Sequence, residues 1–200
     1  MKKSIVAVCV ALACAAGTAQ AYEAGDIVLR VGVVNVNPQG DGALDEALDV
    51  DDNTQLGINL TYMFTDTLGV GVLGATPFEH DITLNGDKIA TTKHLPPTVT
   101  LQYHFNTGTA FHPYAGLGFN YTFFFDEDLK ADAVGDDLEL DPSFGFAAEL
   151  GMDYSIDDNW GVGASLFYAD IDTDAEVDGA DLDTVEIDPL VILISGSYKF

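Results

Sequence analysis

The stretch SFGFAAELGMDYSIDDNWGVGASLFYA, residues Ser143 to Ala169, alternates large apolar residues with small or polar ones on both sides of a short acidic turn. One face of its first half carries Phe144, Phe146, Ala148, Leu150, Met152 and Tyr154, and one face of its second half carries Trp160, Val162, Ala164, Leu166 and Tyr168. Successive side chains of a β-strand point to opposite faces, so each half has one apolar face and one face of small or polar residues. This arrangement suits strands whose apolar face meets lipid and whose small or polar face points inward.

The same alternation recurs along the chain in blocks of roughly ten residues, which is the length of a membrane-spanning β-strand. We identify eight blocks: Ile27–Val36, Gln55–Phe64, Leu68–Phe78, Thr98–Phe105, Tyr114–Phe125, Ser143–Tyr154, Trp160–Tyr168 and Val185–Phe200. Short connections at Thr65–Thr67, Asn106–Ala110 and Ser155–Asn159 alternate with long ones at Pro38–Thr54, Asp81–Lys93, Asp126–Asp141 and Ala169–Thr184. This layout predicts an all-β fold, an eight-stranded antiparallel transmembrane β-barrel with short periplasmic turns and four long extracellular loops.

The charged residues are segregated from the apolar ones. The chain has 33 acidic residues against seven basic ones, yet 48% of its residues are hydrophobic. The four long connections hold 23 of the 33 acidic residues, which places most of the charge outside the predicted membrane region. A net charge of −26 excludes nucleic acid as a partner bound by charge, because like charges repel.

The first 21 residues have the pattern of a cleaved signal peptide. Lys2 and Lys3 precede an apolar run, and the Ala-Gln-Ala sequence at Ala19–Ala21 fits a cleavage site. Cleavage there would leave residues 22–200 as a single barrel domain without cysteine, with five basic residues and a net charge of −28. The expected location is therefore the outer membrane of a Gram-negative bacterium.

Aromatic residues gather at the block ends next to the short turns. They are Tyr62, Phe64, Tyr103, Phe105, Tyr114, Tyr154, Trp160, Tyr198 and Phe200. This is the place of an interfacial girdle, where amphipathic rings sit at the level of the lipid headgroups. Phe200 also ends the last block, and a C-terminal phenylalanine there resembles the signal that the outer-membrane barrel assembly machinery recognises.

Several motifs resemble those of the OmpW/AlkL family. In order and at matching spacing they are NTQLG (Asn53–Gly57), ATPFEH (Ala75–His80), HLPPT (His94–Thr98), PYAGLGFNYT (Pro113–Thr122) and YADIDT (Tyr168–Thr173). The resemblance covers essentially all of residues 22–200 and implies an eight-stranded barrel with a narrow apolar lumen. It also implies uptake of small hydrophobic molecules that leave sideways through the barrel wall into the membrane.

The inward face carries bulky apolar residues among its small ones. From the alternation we expect Val34, Leu73, Phe167, Val191 and Leu193 to line the lumen. The resemblance places Leu73 and Phe167 at the family's lumen constriction. An eight-stranded barrel has room only for side chains or one small ligand, so these residues either narrow a hydrophobic path or plug the barrel.

Pro96 and Pro97 open the fourth block, and proline has no N–H to donate to a neighbouring strand. A closed barrel has no edge at which this loss is harmless. We therefore hypothesise a local gap between the third and fourth blocks that contributes to a lateral exit. The alternative is that the two prolines only end the second long loop.

No motif for catalysis or for a specific metal site is complete. The sequence lacks G-x-S-x-G and H-E-x-x-H, and His80 and His94 are expected as polar residues at the outer rim, so we predict no enzyme, no catalytic residue and no cofactor. Asp170, Asp172 and Asp174 resemble the start of an EF-hand loop, but Ala and Asp replace its glycine and its final glutamate. We expect these carboxylates, with Glu176 and Asp178, to continue the outward phase of the seventh block above the membrane. Crowded carboxylates there favour weak binding of divalent cations.

Two functions of different class follow from these patterns. The first is passive uptake of small hydrophobic solutes through a narrow apolar lumen with a lateral exit. The alternative is a surface receptor whose acidic loops bind cells, phage or bacteriocins while the lumen is plugged. Membrane lipids and lipopolysaccharide are expected partners in both.

Overall fold

The computed structural model describes residues 22–39, 48–50, 52–84, 87–129 and 138–200, and the expected signal peptide lies outside them. The described residues contain no helix long and apolar enough to cross a membrane. Their strands are β1 (Ile27–Asn37), β2 (Leu48–Val50), β3 (Asn53–Met63), β4 (Leu68–Ala75), β5 (Phe78–Leu84), β6 (Asp87–Leu95), β7 (Thr98–His104), β8 (Phe111–Leu129), β9 (Leu138–Leu140), β10 (Ser143–Ser155), β11 (Trp160–Ala169), β12 (Asp172–Val177), β13 (Ala180–Glu186) and β14 (Leu190–Lys199).

Eight of these strands close into the predicted antiparallel barrel. Around the barrel the order is β8, β10, β11, β14, β1, β3, β4 and β7, and the pairing of β7 with β8 completes the ring. The three short turns lie at the same end as the start of β1 and the end of β14. We call this the short-turn end.

Burial confirms which face of each barrel strand points inward. In β7, for example, Thr98 and Thr100 are buried, whereas Val99 and Leu101 between them are exposed. Exposed apolar side chains cover the outside of the barrel in this way because their solvent there is lipid.

Two of the four predicted long connections, the second and the fourth, consist largely of paired strands. The second is the hairpin β5–β6, and β6 extends the barrel sheet by pairing with the far half of β8. The fourth contains the hairpin β12–β13, which forms a separate three-stranded sheet with β9. These hairpins bury a small apolar cluster of their own, Ala90, Leu138 and Val177. A segment in which acidic and apolar residues alternate can still form a strand when its apolar face packs against another strand, as it does in this cluster.

The run of carboxylates follows the predicted phase as far as the turn of this hairpin. Asp172 and Asp174 are exposed, while Thr173 and Ala175 between them are buried. Asp178 departs from the phase, because it lies in the turn after β12 with a φ of 52°.

The aromatic girdle is also confirmed in most of its members. Tyr103 and Phe105 are exposed and meet edge to face at 5.1 Å, and Trp160 meets Tyr198 in the same way at 4.8 Å. Tyr114 was assigned to the girdle wrongly: it is only 2% exposed and points into the barrel. Its hydroxyl lies 2.7 Å from Ser165 Oγ, so a polar partner inside the barrel accounts for the difference.

Candidate functional site

A buried apolar cluster fills the part of the barrel away from the short-turn end. It brings together the five residues expected to line the lumen, Val34, Leu73, Phe167, Val191 and Leu193, and it also contains Val36 and Phe78. Strand register brings these side chains together, because Val34 lies opposite Leu193 and Phe167 lies opposite Val191. Gly57 of β3 leaves the room that Val34 occupies, since an added Cβ would collide with Val34 Cγ2. The role of Leu73 and Phe167 as a constriction stays a prediction.

Val36 and Phe78 are the two members of this cluster that the sequence did not single out; Val36 shares the inward phase of Val34, but Phe78 departs from the phase of its block. Inward residues of the third block are odd-numbered, as in Gly69, Gly71 and Leu73, and the same phase continued to Phe78 would point it outward. The phase changes by one residue at Thr76–Pro77, between β4 and β5, and Phe78 is fully buried. The proline was the available signal, because it marks the place where strand pairing is interrupted.

A narrow cavity of about 20 Å³, room for little more than one water molecule, lies against the cluster. Val34, Leu73, Phe78, Phe167 and Val191 supply its apolar walls. Among its lining residues Thr98 and Asn120 have polar side chains, and these two are hydrogen-bonded to each other at 2.9 Å. The cavity therefore presents neither a charge nor a polar group in need of a partner.

Toward the short-turn end, a buried polar network blocks the barrel. Arg30 of β1 is fully buried and pairs with Asp153 of β10, with its Nε 3.0 Å from Oδ1 and its second guanidinium nitrogen 2.6 Å from Oδ2. The remaining nitrogen of Arg30 donates to Asn59 and Thr61 of β3, at 3.1 and 2.7 Å. The Tyr22 hydroxyl reaches Asp153 from the N-terminal side at 2.8 Å.

The network continues across the barrel to β7. Glu149 Oε2 accepts hydrogen bonds from Thr100 at 2.6 Å and from Gln102 at 2.8 Å, and Thr61 donates to Gln102 at 3.0 Å. We call this layer the polar floor; it comprises Arg30, Asn59, Thr61, Thr100, Gln102, Glu149 and Asp153. The sequence placed Glu149 and Asp153 inward, and ionisable residues inside a membrane span are a signal of internal pairing, but their partners were not predicted.

The wall of the barrel is interrupted beside the apolar cluster. β4 and β7 pair regularly up to Leu73 opposite Thr98, and beyond this pair no described residue of β4 has a partner in β7. Pairing resumes between β5 and β6, where Phe78 lies opposite His94. We call the interval the wall gap; its two edges are residues 74–77 and residues 95–97, and the cavity reaches both of them at Gly74, Ala75 and Pro96.

Pro96 and Pro97 lie between two strands, β6 and β7, that both pair with β8. Next to the prolines, β6 and β7 pair with β8 in the same register, with Leu95 opposite Phe123 and Thr98 opposite Asn120. Toward β4, Pro96 has no N–H to donate, whereas Pro97 faces β8 and its carbonyl accepts a hydrogen bond from Tyr121 N at 3.1 Å. Pro189 shows that proline need not open the wall, because its carbonyl still accepts a hydrogen bond from Ala169 N at 3.4 Å.

His80 and His94 were expected at a polar rim, but both are buried. Their rings stack at 4.9 Å, and Phe78 stacks on His94 at 5.5 Å above the lumen. Burial, with a smaller contribution from His80, lowers the pKa of His94 to about 3, so His94 is neutral near pH 7.

Three carboxylates lie close together above the membrane. Oxygen atoms of Asp170, Asp172 and Asp188 are within 4.8 Å of one another, so Asp188 takes the place that the sequence gave to Asp174. Partial burial, together with the charges of Asp170 and Asp188, raises the pKa of Asp172. Weak binding of divalent cations by these loops stays a prediction.

Comparisons with known proteins agree with this architecture. The sequence model of the OmpW family matches residues 23–200. The chain is 42% identical to Outer membrane protein W of Vibrio cholerae and 43% identical to that of Escherichia coli, in each case over the full length of both proteins. The crystal structure of the outer membrane protein OprG from Pseudomonas aeruginosa is 40% identical and superposes with a TM-score of 0.79, covering 91% of this chain and 99% of that one. All three are named as outer-membrane proteins, and none as an enzyme.

Proposed function

The chain belongs to the OmpW family and is an outer-membrane β-barrel, and from this premise we propose that it is a passive uptake channel for small, uncharged hydrophobic molecules. The observation that carries the proposal is the apolar cavity, which touches both the lumen cluster and the two edges of the wall gap. A solute in this cavity is next to a break in the wall.

The polar floor supports a sideways route over a straight one. Below the cavity, Arg30, Asp153 and Glu149 are buried and hydrogen-bonded across the barrel to residues of other strands. An apolar solute passing through would have to separate these partners and leave charged groups unpaired, which is costly in a buried site. Leaving through the wall gap requires no such step.

The surroundings of the gap also favour an apolar solute. Leu56, Tyr121 and Phe123 are exposed on the outer face of the strands that flank the gap, so a solute leaving there would meet apolar side chains and lipid. Transfer from water to an apolar phase is favourable by about 25 cal/mol per Å² of apolar surface, so partition alone would drive the solute inward. This is why the proposed transport is passive.

The role of Leu73 and Phe167 as the lumen constriction belongs to the same proposal. Replacing both with aspartate would place two carboxylates in the apolar cluster and should reduce uptake to the rate of protein-free vesicles. Uptake is measured with the uncharged fluorescent probe N-phenyl-naphthylamine in vesicles whose outer leaflet contains lipopolysaccharide, because lipopolysaccharide retards apolar solutes that would otherwise cross unaided.

The matched control is the double replacement of Leu73 and Phe167 with alanine, which removes bulk without adding charge and should leave uptake at or above the wild-type rate. Circular dichroism of both variants verifies that the barrel is folded. Wild-type protein that takes up the probe no faster than empty vesicles would refute the proposed function. In that case surface recognition by the acidic loops, which the aspartate variant leaves intact, becomes the preferred function.

Three further expectations from the sequence remain part of the proposal. They are cleavage after Ala21, recognition of Phe200 by the barrel assembly machinery, and contact of the acidic hairpins with lipopolysaccharide. The exposed position of Phe200 at the end of the chain is compatible with the second.

A further inference from the structure

We propose that the phenyl ring of Phe78 fills the entry site of the lumen, a slot for one aromatic ring, and that it gives up this slot when an uncharged aromatic solute enters. The inference rests on the proposed uptake function and adds to it a gate residue and a preferred class of solute. The cavity beside Phe78 has a volume of about 20 Å³, room for little more than one water molecule. A solute therefore enters only if a side chain moves aside.

Phe78 is the cluster member whose strand is paired least. Each of the other six members lies at a position where its barrel strand is paired on both sides. Phe78 is paired with His94 of β6, and the only described pairing of β5 on its other side is with β2, at residues 82–84. Near Phe78 that side has the Asn53 side chain, which donates to Glu79 O at 2.6 Å in an exposed contact. The segment at Phe78 can therefore shift while the barrel strands keep their pairing.

The slot has an aromatic wall on one side. The His94 ring stacks on Phe78 at 5.5 Å, with 25° between the two ring planes, and His80 stacks on His94 at 4.9 Å. Burial lowers the pKa of His94 to about 3, so this wall is uncharged near pH 7. Phe78 itself is 1% exposed and packs in the apolar cluster, next to the cavity that Val36 and Leu73 also line. A space that one benzene ring fills in this way fits a second ring of the same size.

The exchange of one ring for another favours an aromatic solute. When Phe78 leaves, the cluster loses apolar contacts and His94 loses its stacking partner, and both losses oppose opening. A solute with a benzene ring restores both interactions, whereas an aliphatic solute of the same size restores the apolar contacts alone. A charged solute is disfavoured, because its charge would be buried without a partner. The preferred class is therefore uncharged molecules with one aromatic ring.

Replacing Phe78 with alanine tests the gate. The slot is then empty, so uptake of toluene into vesicles containing lipopolysaccharide should rise several-fold above the wild-type rate. The matched control is Leu193→Ala, which should keep the wild-type rate, because Leu193 is equally buried in the cluster but lies on a strand paired on both sides. Phe78→Leu keeps most of the bulk but loses the stacking on His94; it should show a smaller rise, and it replaces the alanine variant if circular dichroism shows that variant unfolded. A folded Phe78 variant that takes up toluene no faster than the control would overturn the gate.

Toluene and methylcyclohexane, which share one carbon skeleton, test the preference for aromatic solutes. After the rate of protein-free vesicles is subtracted, the wild type should take up toluene several-fold faster. His94→Leu removes the aromatic wall at similar bulk and should abolish the difference. His112→Leu should keep it, because His112 is equally buried but lies next to a short turn, at the other end of the barrel. Equal rates in the wild type, or an unchanged difference in a folded His94→Leu barrel, would overturn the assignment of solute class.

Binding to the empty slot is measured without transport. Toluene should raise the urea concentration at which Phe78→Ala unfolds in lipid vesicles, and methylcyclohexane should raise it less, because a ligand that binds the folded state stabilises it. Phe146→Ala is the control, since Phe146 is 45% exposed on the lipid-facing side and its removal leaves no slot in the lumen. A toluene shift no larger in Phe78→Ala than in this control would overturn the entry site even where uptake is normal. Wild-type uptake no faster than that of empty vesicles, with toluene still bound by Phe78→Ala, would instead remove the proposed function and leave the slot as a binding site.

Discussion

Arg30 is a guanidinium held inside a membrane-spanning barrel with no exposed surface. The arrangement is tolerated because Asp153 supplies the opposite charge at 2.6 Å while Asn59 and Thr61 accept the remaining hydrogen bonds. A buried ion pair contributes little net stability when complete, because desolvation of both charges offsets their attraction. Removing only one partner is different, since the other charge is left buried and unpaired.

We therefore expect Arg30→Leu to lower the free energy of unfolding by about 3–5 kcal/mol. Replacing both residues, Arg30→Leu with Asp153→Leu, should cost less than the single replacement, because no charge is stranded. Urea unfolding of the barrel in lipid vesicles measures both. A double variant as unstable as the sum of the two single variants would contradict this account of the polar floor.

At the scale of elements, the third and fourth barrel strands are each split by proline. β4 and β5 are separated at Thr76–Pro77, and β6 and β7 at Pro96–Pro97. Sequence reasoning singled out Pro96 and Pro97 and hypothesised a gap beside them, but it read the outer halves of both strands as loop. It also missed the one-residue change in alternation that turns Phe78 inward. The alternation of inward and outward residues is read along a single strand, whereas this change is set by pairing with a second strand.

A substitution at Gly74 can test the wall gap without disturbing the residues that form its two edges. It lies at the gap edge, and an added Cβ there would meet no atom within 4 Å. Gly74→Trp should therefore fold normally and lower uptake of the probe several-fold, because the indole would cover the mouth of the gap. Gly196→Trp is the matched control, since Gly196 of β14 is equally open but lies on the other side of β1 and β3. Equal uptake by the two variants would argue against exit at this place.

At the scale of the whole molecule, the distribution of charge selects among solutes. The chain carries a net charge of −26, and exposed carboxylates such as Asp172 and Asp174 lie above the membrane. The described lumen holds its one buried guanidinium, Arg30, in a complete ion pair. An anionic solute is thus repelled outside and finds no free cation inside.

We expect toluene to be taken up much faster than benzoate, which is similar in size but carries a carboxylate whose desolvation in the apolar cavity is unfavourable. Added salt should raise the rate for benzoate only in part, because screening weakens the repulsion by the loops but not the cost of desolvation. Uptake into vesicles by both labelled solutes, at low and high ionic strength, measures the difference. Equal rates at low salt would contradict this selectivity.

The sequence by itself determined the closed barrel, the general alternation of inward and outward faces, and five of the seven apolar residues in the lumen cluster. These follow from a period of two and from the lengths of strands and turns, which are local properties that one strand displays without its neighbours. The tertiary structure decided which residues meet. The Arg30–Asp153 pair and the inward position of Tyr114, held by Ser165, join strands far apart in sequence. Their contacts depend on register between strands, and a shift of one residue in register changes every partner while leaving the alternation of the sequence unchanged.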